Sequence, residues 1–188
     1  MVKKILIGAA ITVGAIFALM ILFGLTMFLV VSVNNRSAGS KEEILNGSQQ
    51  ASKKALVIYQ PSKSDISSQV AHQIAKGLNA GGYEVTLNRP GDYLSNDISK
   101  YSVVVFGSPV FAGQISKALT NYMSKAKVSS SNKIVLYSTG SIQQTTELDN
   151  MEKFLNGSKA FKKVKFYTSA KTKNDKLAYD LGTQLSKE

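Results

Sequence analysis

The sequence predicts an α/β protein, a doubly wound five-stranded parallel sheet preceded by one N-terminal transmembrane helix. Three observations lead there. An uncharged run from Ile5 to Val33 covers 29 residues. From Ala55 onward, short apolar runs alternate strictly with segments whose apolar residues recur every three or four positions, the pattern of successive βα units. One of those runs, Val103-Val104-Val105-Phe106, breaks directly into Gly107-Ser108-Pro109-Val110-Phe111-Ala112-Gly113. A strand that opens into such a turn lies where open parallel sheets bind ligands.

At a rise of ~1.5 Å per residue, the N-terminal run exceeds the ~30 Å hydrocarbon core of a bilayer. A secretory signal carries an apolar region of only ~7–15 residues, so the length favours a retained anchor over a cleaved leader. Lys3 and Lys4 flank one end, and Arg36, Lys41, Lys53 and Lys54 follow the other, which leaves the orientation rule close to a tie. Residues 37–54, rich in Ser, Gly, Asn and Gln, read as a flexible tether. The expected organisation is an anchor over 1–36, a tether over 37–54 and one domain over 55–188, a size that buries a proper core.

Within that domain Ala55–Tyr59 is the first strand. Ile66, Val70, Ile74 and Leu78 keep helical spacing up to Gly81-Gly82, a C-terminal stop. Tyr83–Leu87 is the second strand, Ser102–Phe106 the third, Lys133–Ser138 the fourth and Val164–Thr168 the fifth. Ile115, Leu119, Tyr122 and Met123 mark the helix after strand three, with Gln114 at its start. Thr146–Leu155 and Asn174–Leu185 mark the last two. Right-handed crossovers with one reversal after the first strand give the order 2-1-3-4-5, which brings the ends of strands one, three and four around one crevice.

Charge and composition exclude several classes. Twenty Lys and Arg against twelve Asp and Glu follow Ser37, a net of +8. Such a domain is drawn to anionic lipid or is simply well solvated, and no groove-reading motif accompanies the charge to suggest nucleic acid. Many lysines come late, at Lys159, Lys162, Lys163, Lys165, Lys171, Lys173 and Lys176. Cysteine is absent, so there is no disulfide, thiolate metal site or thiol nucleophile. The single histidine, His72, excludes a His-cluster metal site and reads as a solvated position on its helix. No catalytic acid-base set is visible; Asp92, Asp97, Glu147 and Asp149 read as residues of caps and turns.

Three loops line the predicted crevice. The first, Tyr59 to Ser67, offers hydroxyls at Ser62, Ser64 and Ser67 beside Lys63 and the helix start at Ile66, a nest suited to a phosphate dianion. The same residues also suit an ordinary N-cap at Ser64 or Asp65. The second loop offers Ser108, Pro109, Val110, Phe111 and Gly113, an aromatic face with backbone donors and acceptors. The third contributes Thr139 and Gly140.

Gly107-Ser108-Pro109-Val110-Phe111-Ala112-Gly113 resembles the Gly-Ser-Pro-aliphatic-Tyr-x-Gly loop of flavodoxin-like proteins. Ser62-Lys63-Ser64-Asp65-Ile66-Ser67 resembles their Ser/Thr-x-Thr-Gly-x-Thr phosphate loop, with Asp65 where the family has glycine. The resemblance extends over nearly all of Ala55–Leu185 and includes the menaquinone-dependent protoporphyrinogen oxidases. It implies a flavodoxin-like fold, non-covalent FMN held by the residues just named, and electron transfer as a carrier or FMN-dependent oxidoreductase, with a redox protein or quinone partner. By the same resemblance the domain would be cytoplasmic on a single-pass anchor. The alternative is a flavodoxin fold that has lost FMN at Asp65 and serves as a tethered interaction module.

Overall fold

The computed structural model describes residues 2–34, 36–47 and 53–188. The chain divides into two compact units after residue 35. The first is a single helix, α1 (Val2–Asn34). Its stretch Leu6–Val33 is long and apolar enough to cross a membrane, with side chains such as Phe17, Phe23 and Phe28 exposed. Its two threonines return their hydroxyls to the helix, Thr12 Oγ1 to Gly8 O at 3.0 Å and Thr26 Oγ1 to Leu22 O at 2.8 Å. No polar side-chain group at these positions is left without a partner for an apolar surrounding to penalise.

The second unit is an α/β sandwich. Its strands are β1 (Glu43–Leu45), β2 (Lys54–Tyr59), β3 (Glu84–Asn88), β4 (Val103–Phe111), β5 (Gln114–Ile115), β6 (Lys133–Gly140) and β7 (Lys162–Tyr167). Its helices are α2 (Ile66–Ala80), α3 (Lys117–Lys125), α4 (Thr146–Glu152), continued by a 3-10 turn over Lys153–Leu155, and α5 (Lys171–Lys187). The sheet runs β1-β3-β2-β4-β6-β7. The five strands from β3 to β7 in that list are parallel and follow the expected order 2-1-3-4-5.

The central strands read as unbroken apolar runs because both faces are covered. Val103 and Val105 join Val57, Ile74, Leu78, Tyr137 and Leu181 in the core under α2 and α5. Val104 and Phe106 point the other way, into a core with Ile58, Leu119, Met123, Leu136 and Met151 under α3 and α4. Alternation along one strand thus feeds two cores. Helices α2 and α5 approach backbone to backbone: a Cβ on Gly77 would stand 2.2 Å from Tyr179 O, and one on Gly182 2.2 Å from Ile74 O.

Several expectations are corrected. The segment read as a flexible tether carries β1, antiparallel to β3 at the sheet edge; residues 48–52 lie outside the described residues. A three-residue strand has too few positions to show a period, and what fixes it is distant. Asn88 Oδ1 accepts from Lys41 N at 2.9 Å, and Arg89 Nη1 donates to Ala38 O at 2.9 Å. Asn79 Nδ2 also donates to Asn46 O at 2.8 Å.

Strands β4 and β6 run on through Phe111 and Gly140, and the third helix starts at Lys117 rather than Gln114 because Gln114 and Ile115 fold back on β4. His72 is not simply solvated. Its Nε2 lies 3.0 Å from Glu43 Oε2 and its Nδ1 2.7 Å from Ser68 O. Four of the seven late lysines have carboxylate partners among the described residues: Lys159 and Lys163 reach Glu152, Lys163 also reaches Asp149, Lys165 reaches Glu147 and Lys176 reaches Asp180.

Candidate functional site

The ends of β2, β4 and β6 meet at one side of the sheet, as the parallel registers Tyr59 to Gly107 and Pro109 to Thr139 require. Gln60 N donates to Gly107 O at 2.9 Å, carrying the ladder one residue into the first loop. The loop then turns, with Asp65 N donating to Ser62 O at 3.0 Å. Asp65 takes φ 58° and ψ 1°, the left-handed backbone a glycine would adopt there. Asp tolerates that geometry better than most residues.

Asp65 occupies the N-cap of α2 yet makes no side-chain cap bond, so the first-turn amides are not claimed by the carboxylate. The Ser62 and Ser64 hydroxyls stand 3.1 Å apart at the loop surface, beside exposed Lys63. Ile66 is buried beneath the loop. Ser67 is fully buried, and its Oγ donates to Gln60 O at 2.8 Å. Tyr137 OH donates to Ser67 O at 2.8 Å. Burial pushes the Tyr137 phenol far up, so the group stays a donor. The base of the phosphate loop is thereby fixed from the sheet.

The second loop is a hairpin rather than an open turn. Ser108 is fully buried; its Oγ donates to Pro109 O at 2.8 Å and accepts from Ser116 N at 3.1 Å. Pro109 is buried, and Val110 pairs with Ile115. Only the apex is open: Ala112 at φ 48° and Gly113 at φ 75° reverse the chain beside half-buried Phe111. Gly107 is small for a different reason than ligand approach, since a Cβ there would stand 1.9 Å from the Tyr137 ring.

Thr139 and Gly140 belong to β6 and are buried, so the exposed third loop is residues 141–145. Gly140 sits where a Cβ would come 3.3 Å from Lys165 Nζ and 3.5 Å from Val110 Cβ. Behind it lies an ion pair that the sequence reading missed. Lys165 Nζ donates to Glu147 Oε1, and so does Ser138 Oγ at 2.9 Å. Burial alone would push the Glu147 carboxyl up. The Lys165 hydrogen bond, its own backbone amide and the Ser138 hydroxyl outweigh that and hold it below its ordinary value. Lys165, two residues past Lys163 on the same strand, carries no local mark of burial, and only the β6–β7 register puts it opposite Ser138.

The residues present suit a flavin phosphate. The loop adopts the glycine-like bend, hydroxyls and uncapped amides converge at the start of α2, and an aromatic side chain stands at the neighbouring hairpin.

A flavodoxin domain family model matches residues 56–177, and the chain belongs to that family. Solved structures agree on the fold. The flavodiiron core of Flv1 from Synechocystis aligns with 74% of this chain and 36% of its own length, at 22% identity and a TM-score of 0.54. Rubredoxin oxygen:oxidoreductase from Desulfovibrio gigas aligns with 74% and 36%, at 13% identity and a TM-score of 0.60. Megasphaera elsdenii flavodoxin aligns with 71% of this chain and 99% of its own, at 15% identity and a TM-score of 0.57. The chain therefore spans about a third of the first two proteins and nearly the whole of the flavodoxin. No curated protein sequence matches it.

Proposed function

We propose that the domain binds FMN non-covalently in this crevice and passes electrons, as a carrier or oxidoreductase working with a redox protein or quinone, from an N-terminal membrane anchor. The observation that carries the reading is the left-handed Asp65 at an α2 N-terminus with no side-chain cap. In this reading Ser62, Lys63, Ser64 and the amides from Ile66 to Ser67 hold the phosphate. Phe111 and the Val110–Gly113 apex border the ring, while Ser108, Pro109, Thr139 and Gly140 support that border from within the sheet. Bound FMN supplies the redox chemistry; the chain positions it, excludes water and sets the electrostatics around it. Strongly basic composition favours an acidic partner or an anionic surface.

The anchor reading rests on the 28-residue apolar stretch, and we assign the domain to the cytoplasmic side of the cell membrane. A retained anchor leaves the intact N-terminus in membrane fractions that resist alkaline extraction; recovery of a soluble, shortened chain would show a cleaved leader. The second reading is a tethered interaction module without FMN, favoured by the Asp65 carboxylate, whose charge opposes a phosphate at short range. Full-length protein purified in detergent separates the two. Flavin absorption, native or after adding FMN, supports the carrier; a colourless protein that takes up no FMN leaves the module.

A further inference from the structure

A second cleft, about 500 Å³ in volume, opens on the outer flank of α2 between the β1 edge and the start of α5. That is within the range of about 300–1,000 Å³ typical of small-ligand sites. It shares Tyr59, Pro61, Ser62 and Asp65 with the cofactor loop, but the rest of its lining, with Gln69, Lys76, Arg89 and Lys41, includes no hairpin residue. Its cations are Lys41, Lys76 and Arg89, set against the carboxylates of Asp65 and Asp175. His72, also in the wall, is engaged by Glu43.

Two buried polar atoms in this lining have no hydrogen-bond partner among the described residues, and they are of opposite kinds. Arg89 Nε is a donor, held in place because Nη1 of the same guanidinium is tied to Ala38 O and the Tyr59 hydroxyl also engages the guanidinium. Gln69 Oε1 is an acceptor. Buried polar groups are rarely left unpaired, because burial without a partner forfeits the hydrogen bond that water would supply. A donor from a guanidinium asks for an anion, and a carboxamide oxygen asks for a hydroxyl.

We propose that this cleft binds a small phosphate ester bearing free hydroxyl groups, the chemistry shared by glycerol phosphate and by the headgroup of a phosphatidylglycerol lipid. Arg89 Nε, with Lys41 and Lys76, takes the phosphate, and Gln69 Oε1 accepts from a hydroxyl. Lys41 follows Val33, the last residue of the apolar stretch, by eight positions, so both a lipid and a soluble source are tested. The site goes beyond the cofactor reading: Arg89, Lys41, Lys76 and Gln69, which would hold the ligand, all lie outside the cofactor loop.

The test uses the full chain in phosphatidylcholine nanodiscs saturated with FMN, followed by the side-chain Nε–H resonance of Arg89. The chain has two arginines, Arg36 and Arg89, and Arg89→Lys assigns the signal. Glycerol phosphate should shift it saturably, or nanodiscs containing phosphatidylglycerol should shift it without added ligand. The first result identifies a soluble source and the second a lipid. Gln69→Leu, which touches none of the bonds that hold β1, should weaken the response about tenfold. The proposal is overturned by an unmoved resonance in both arms, by unchanged affinity in Gln69→Leu, or by FMN competing with glycerol phosphate. Flavin absorption in the same samples reports separately on the cofactor.

Discussion

Lys165 and Glu147 form an ion pair sealed from water, each side chain 5% exposed, at the point where β6, β7 and α4 converge behind the third crevice loop. A buried pair is a poor source of net stability but a costly thing to break. Removing one partner leaves the other charge uncompensated, at about 3–5 kcal/mol, whereas replacing both by apolar residues is often neutral. Glu147→Leu and Lys165→Met should therefore each lower the urea midpoint strongly, while the double variant Glu147→Leu with Lys165→Met recovers most of the loss. Additive losses in the double variant would contradict the pairing.

The same pair sets an acid limit. The Glu147 pKa is held below its ordinary value of 4.5 in the folded chain, so the unfolded state binds the proton more readily. The contribution is fully present above about pH 4.5 and is lost as pH falls through the lower folded value. Wild-type stability, measured by denaturant unfolding from pH 7 to pH 3, should fall more steeply below pH 4.5 than that of Glu147→Gln. Parallel curves would show that another carboxylate dominates.

Helix propensity favours alanine over glycine by about 1 kcal/mol, yet Gly77→Ala and Gly182→Ala should both destabilise. The new methyl group would meet backbone at 2.2 Å in each case, and backbone cannot rotate away as a side chain can. Overpacking of this kind costs about 1–3 kcal/mol or more, which exceeds the propensity gain. Thermal unfolding of either variant at or above the wild-type temperature would refute the close packing of α2 on α5.

The phosphate loop yields a paired expectation. Asp65→Gly removes a like charge facing the phosphate and eases the left-handed backbone, so FMN affinity should rise about tenfold, in line with ~1–4 kcal/mol for charges at that range. Tyr137→Phe removes the side-chain donor from Ser67 O, which keeps its bond within α2, at a cost of about 0.5–1.5 kcal/mol, and should weaken FMN binding through the loop base. Fluorescence titration with FMN reads both. Unchanged affinity in Asp65→Gly would show that this loop does not hold the phosphate.

The sheet was legible because a strand buried on both faces must be apolar at every position, as Val103–Phe106 is, and because the helices between carry their apolar residues at 3.6-residue spacing. The extent of β4 and β6 was not legible, since Gly107, Pro109 and Gly140 carry turn chemistry that local rules assign to loops. The registry of Pro109 with Thr139 and the hairpin closure by Gln114 override them. His72 and Glu147 were misjudged for one reason: their partners, Glu43 and Lys165, are 29 and 18 residues away.

By itself, then, the chain determined its layered α/β order, its apolar N-terminal span and the loop that bends at Asp65, because periodicity and backbone preference are local properties. Only the folded structure decided which polar groups are spent inside the sheet and which stay open. It turned Ser108 and Thr139 inward, enlisted the edge strand from the presumed tether, and left Arg89 Nε and Gln69 Oε1 unpaired in one cleft. Hydrogen-bond partners and burial are set by residues distant in sequence, and no local pattern encodes them.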